Sequence, residues 1–131
     1  MTRRALNANG ELLEPAFQAQ VIGLLRVYRW SLIYHAPDGG HAPGASGRRV
    51  AGGQIPEGRG FPDLVAIRGG RRLLVAELKT NTGRVRPGQE EWLAGFRAAG
   101  FDAYLWRPRD WDEIHEVVRG TVERRRDLDP L

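Results

Sequence analysis

Apolar positions recur along this chain at two alternating periods. Phe17, Val21, Leu24, Leu25 and Tyr28 return every three or four residues, the spacing of a helix with one apolar face. Pro15 sits at its first helical position, where the missing N–H costs nothing. Trp30 to His35 (WSLIYH) alternates as a first strand, with His35 at its end. Phe61 to Thr80, FPDLVAIRGGRRLLVAELKT, holds two short apolar runs around Gly69-Gly70, the pattern of a β-hairpin. Pro87 opens a second helix whose apolar face is Trp92, Leu93, Phe96 and Ala99 and which stops at Gly100. Phe101 to Trp106 (FDAYLW) reads as a fourth strand, and Asp110 with Glu113 as the start of a last short helix. The aromatics Tyr104, Trp106 and Trp111 are assigned to the core or to a dimer contact. The predicted order is α-β-β-β-α-β-α, an α/β fold with a small mixed sheet of about four strands flanked by helices.

The hairpin carries the chemistry. Asp63 opens its first strand, and Glu77 and Lys79 close its second, so the ionised groups gather at one end. Positions i and i+2 of a strand share a face, so Glu77 and Lys79 project together from an otherwise buried run. An acid and a lysine placed there cost free energy unless they are paired or hold a metal. A strict two-residue loop at Gly69-Gly70 would set Asp63 opposite Ala76 and send Glu77 to the other face. A shared site therefore predicts a three-residue or bulged turn that sets Asp63 across from Glu77.

Composition sharpens this reading. Of 20 basic residues in 131, only Lys79 is a lysine. A compact ammonium differs from a guanidinium where a group must sit close to a water or part with a proton, so Lys79 is read as chemical. There is no cysteine, hence no disulfide and no thiolate metal site, and His35, His41 and His115 are scattered. A catalytic metal would have to be held by oxygen, which points to Mg²⁺ or Mn²⁺. A net charge of +4 suits a polyanionic partner. No apolar run approaches the length of a membrane span and no signal-peptide pattern follows Met1, so an intracellular, cytoplasmic protein is expected.

Three segments fall outside the core pattern. Residues 1–10 read as a flexible arm and 121–131 as a charged tail, in which Arg124 to Arg126 add phosphate affinity. Residues 36–60 hold eight glycines and three prolines without apolar periodicity. This loop carries Arg48, Arg49 and Arg59 toward the acidic end of the hairpin; it either orders on nucleic acid or is a tolerated surface insertion.

Pro62-Asp63 followed by Glu77-Leu78-Lys79 resembles the signature of the PD-(D/E)XK nuclease superfamily. With Glu14 leading the first helix and Gln89 and Trp92 in RPGQEEWLAGFRAAG, residues 11–120 are similar to its compact VRR-NUC (virus-type replication-repair nuclease) branch. The resemblance implies a restriction-endonuclease-like core with Asp63, Glu77, Lys79, Glu14 and Gln89 as catalytic residues. It implies a metal held by Asp63, Glu77 and the Leu78 carbonyl, with Arg48, Arg49, Arg59, Arg84 and Arg86 on the DNA. Glu14 reads equally as an acid favouring the positive end of the helix dipole, and Gln89 as an ordinary polar helix residue. The implied activity is a Mg²⁺-dependent, structure-specific DNA endonuclease, Holliday-junction-resolvase-like and homodimeric, in a bacterial or viral setting. The rivals are a less specific duplex or flap nuclease and a binding module without catalysis. No base-reading helix or RNA-recognition motif is present, so DNA shape or a partner would set specificity.

Overall fold

The computed structural model describes residues 4–36, 58–69 and 72–120. Its elements follow the predicted order: α1 (Glu14–Val27), β1 (Leu32–His35), β2 (Leu64–Arg68), β3 (Arg72–Leu78), α2 (Pro87–Ala98), β4 (Asp102–Trp106) and α3 (Trp111–Arg119), the last preceded by a 3-10 turn at Pro108–Asp110. The four strands lie in the order β1-β2-β3-β4. The first three are antiparallel neighbours, whereas β4 returns parallel to β3 through α2. The result is a mixed α/β sheet of the restriction-endonuclease-like kind.

Strand alternation sorts side chains into two layers. Leu74, Ala76 and Leu78 of β3, with Leu64, Ala66 and Trp106, meet Phe17, Val21 and Leu25 of α1 and Ile114, Val117 and Val118 of α3. On the other face Val75, Ala103 and Leu93 of α2 form a smaller cluster that Val65, Leu73, Phe96 and Leu105 extend. Glu77 has the parity of Val75 and so belongs to the α2 face. Leu78 and Trp106, both 0% exposed, anchor the strand ends behind it; burying side chains of this size contributes roughly 2 kcal/mol each.

The hairpin register decides which acids meet. Leu64 pairs with Ala76, Ala66 with Leu74 and Arg68 with Arg72, leaving three residues in the turn. The first of them, Gly69, has φ 60, left-handed backbone that suits glycine. Extending the ladder by one position sets Asp63 opposite Glu77, on the same face.

Three local expectations change. The first strand starts at Leu32 because Arg29 turns the chain at φ 67, and the buried Trp30 gives its indole N–H to Val118 O at 2.9 Å. Asp110 does not cap α3; its Oδ2 accepts from Arg107 N at 2.9 Å and stabilises the 3-10 turn instead. Residues 5–13, overlapping the stretch read as an N-terminal arm, form a reverse turn, with Leu13 N donating to Ala5 O and Asn7 Oδ1 accepting from Asn9 N and Glu11 N.

Candidate active site

Asp63 enters the site from the end of β2. Its carbonyl accepts from Ala36 N at 2.7 Å, which fixes it beside β1, and its Oδ2 accepts from Leu78 N at 2.9 Å across the hairpin. Glu77 is 1% exposed. Its Oε2 accepts from Gln89 Nε2 at 2.7 Å and lies 3.5 Å from Lys79 Nζ. Its Oε1 is buried and has no hydrogen-bond partner. Burial first, and the neighbouring Asp63 charge second, push the Glu77 carboxyl up from 4.5 to about 8, with Lys79 pulling the other way.

With two acids beside one ammonium, the unpartnered Glu77 oxygen is one that a proton or a small cation would satisfy. Among the described residues no group of three or more His, Asp or Glu side chains could hold a metal. The donors on hand are two carboxylates and main-chain carbonyls, which fits an ion such as Mg²⁺ that keeps much of its water shell. The residues therefore fit a hydrated, oxygen-bound divalent ion and no softer metal.

Gln89 is held at both ends of its amide. Its Oε1 accepts from Arg86 N at 2.9 Å, closing the first turn of α2, which leaves Nε2 to donate to Glu77. The helix is in turn locked to the segment carrying Asp63. Gly60, at φ +89, approaches so closely that a Cβ there would stand 2.5 Å from Gly88 C. Phe61 meets Trp92 edge to face at 5.0 Å between centroids. Gly88 was not singled out in the sequence; a glycine in the first turn of a helix, where it costs up to about 1 kcal/mol relative to alanine, was the available signal.

Lys79 leaves β3 with its backbone N donating to Trp106 O at 3.0 Å. The following turn is gripped by Arg107, whose Nη1 donates to Thr80 O at 2.6 Å and Gly83 O at 2.8 Å. Nothing in the sequence flagged Arg107, because its partners are main-chain carbonyls.

Of the remaining candidates, Glu14 heads α1, where its Oε2 accepts from Gln18 Nε2 at 3.2 Å. Arg59, Arg84 and Arg86 are exposed on the segments leading to and from the hairpin. Arg48 and Arg49 lie outside the described residues. His35 pairs with Leu64 and so faces the α1 layer, away from Asp63; its Nε2 is buried without a partner. Among the described residues no helix is long and apolar enough to cross a membrane.

The model of the VRR-NUC domain family matches residues 41–110, just over half of the 131. The matched stretch includes Asp63, Glu77, Lys79 and Gln89 but not Glu14. No curated protein and no solved structure matches the chain.

Proposed function

This chain belongs to the VRR-NUC domain family, nucleases of the PD-(D/E)XK type that act on DNA, and from that premise we propose that it is a Mg²⁺-dependent, structure-specific endonuclease. Its substrate is branched DNA such as a four-way junction, cut by a homodimer whose two sites face strands of opposite polarity. The observation that carries the reading is Glu77, whose one oxygen is held by Gln89 and Lys79 while the other is buried without a partner beside Asp63.

Asp63, Glu77 and the Leu78 carbonyl would hold the ion. When bound, such an ion lowers the pKa of a coordinated water and offsets the charge that the phosphate gains. Gln89 and Lys79 keep Glu77 Oε2 engaged, so Oε1 is the oxygen presented. The Lys79 ammonium, 3.5 Å from that carboxylate, orients the attacking water by hydrogen bonding or takes up negative charge on the phosphate. Arg59, Arg84 and Arg86 bind the flanking phosphodiesters, and Glu14 acts from the first turn of α1. Residues 11–120 constitute the nuclease domain.

A panel of four-way junction, flap, linear duplex and single-stranded DNA, incubated with Mg²⁺ or with chelator and run beside Glu77→Ala, tests the proposal. Chelator-sensitive incision of the junction by the wild type alone is expected. Equal incision of all duplex substrates would reduce the protein to a nuclease without junction preference, and no incision of any substrate would remove the catalytic reading.

A further inference from the structure

Lys79 is the one site residue whose reactive atom ends a long flexible stem, and holding such a stem costs more rotamer entropy than holding an aspartate. Its restraint is built from outside the hairpin. The four residues after it form a turn, Thr80 to Gly83, closed by Gly83 N donating to Thr80 O at 3.2 Å. That turn passes beside the base of the lysine side chain: a Cβ on Gly83, which has none, would stand 3.5 Å from Lys79 Cβ and 3.1 Å from Thr80 Oγ1. Three groups from the end of β4 fix the turn there. Arg107 Nη1 bridges the Thr80 and Gly83 carbonyls at 2.6 and 2.8 Å, Arg109 N donates to Asn81 Oδ1 at 3.0 Å, and Trp106 O accepts from Lys79 N at 3.0 Å. Arg107 is itself held, since its backbone N donates to Asp110 Oδ2 at 2.9 Å.

We propose that Arg107 is a positioning residue for Lys79: by clamping both ends of the Thr80–Gly83 turn it fixes the backbone at the base of the lysine side chain and so keeps the ammonium beside Glu77. An arginine this near a nuclease site would ordinarily be assigned to a phosphate. Here Arg107 is half-buried and its Nη1 is shared between two carbonyls, hydrogen bonds from a charged donor that are stronger than neutral ones. The inference rests on the nuclease reading only for what Lys79 does, since the clamp itself is independent of it.

Because Lys79 is the only lysine, protein grown on ¹³C-lysine reports the Cε methylene of this residue alone. In the wild type, with the ammonium held beside Glu77, its geminal protons should give separate resonances. In Arg107→Met, which keeps the stem length but donates no hydrogen bond, they should merge toward one averaged signal. The same variant should lose kcat on junction DNA by about tenfold or more, part of the roughly 10²- to 10³-fold that one positioned electrostatic donor supplies, with KM changed by less than about threefold. Arg107→Gln, which restores a donor without adding a second lysine, should recover part of both effects. Should Arg107→Met fail to melt cooperatively, Arg107→Gln alone decides, by an intermediate Cε signal. A wild-type Cε signal in the methionine variant, or a rise in KM with kcat intact, would overturn the proposal and make Arg107 a phosphate ligand. A wild type that cuts no DNA would sink the nuclease reading, while the Cε signal would still decide the clamp.

Discussion

Replacing Glu77 by glutamine should make the metal-free protein more stable at neutral and alkaline pH, even though it removes a central group of the site. Burial and the Asp63 charge raise the Glu77 carboxyl from 4.5 to about 8, so the folded state binds a proton that the unfolded chain has released over this interval. A group raised in this way favours the fold fully below about pH 4.5, and that contribution is lost as pH climbs through about 8. The loss amounts to something on the order of 3 kcal/mol by pH 7 and nearer 5 kcal/mol above pH 9. Glutamine is spared it, because its amide oxygen can keep the bond from Gln89 and turn its NH₂ toward Asp63. In a domain of this size the difference corresponds to roughly 10 °C in Tm at neutral pH. Thermal unfolding of both proteins in chelator, from about pH 5 to about pH 9, measures it as the divergence of two curves. Adding Mg²⁺ should then stabilise the wild type increasingly as pH rises, since ion and proton compete for one carboxylate, and should do little for Glu77→Gln. Parallel curves in chelator would show that Glu77 ionises freely and would refute the burial argument. An equal gain from Mg²⁺ in both proteins would take Glu77 out of the metal site.

Five further substitutions test neighbouring parts of the site. Asp63→Ala should abolish cleavage while DNA binding, followed by fluorescence anisotropy in Ca²⁺, stays within about threefold of the wild type, because phosphate contacts dominate affinity. Lys79→Arg should retain at most about one hundredth of kcat, since a planar guanidinium cannot occupy the space of an ammonium; an active enzyme would remove the argument from the lone lysine. Gln89→Ala should cost about 1 kcal/mol by calorimetry through the lost turn closure at Arg86 and should also lower kcat by freeing Glu77 Oε2, whereas an unchanged kcat would leave Gln89 a helix cap only. Gly60→Ala should destabilise by several kcal/mol, since φ +89 disfavours alanine and its Cβ would meet Gly88 C at 2.5 Å; Gly88→Ala, with 3.1 Å to Arg59 O, should be much milder in the same melt.

Much of this molecule was legible in the order of its residues. Period-2 and period-3.6 patterns locate the strands and helices because burial acts on neighbours along one element, and Lys79 lies beside Glu77, its Nζ 3.5 Å from Oε2, because residues two apart leave a strand on one face. The hairpin register followed by the same reasoning, since Asp63 and Glu77 share a face only if three residues make the turn. Folding alone decided what depends on groups far apart in the chain. The amide of Gln89 bonds Glu77 because α2 crosses over the strand end, and that crossing is set by the bare backbones of Gly60 and Gly88. Arg107 meets two carbonyls because β4 returns parallel to β3. The protonation of Glu77 depends on the apolar mass and the second carboxylate packed around it, quantities that come into being only when distant segments exclude water together.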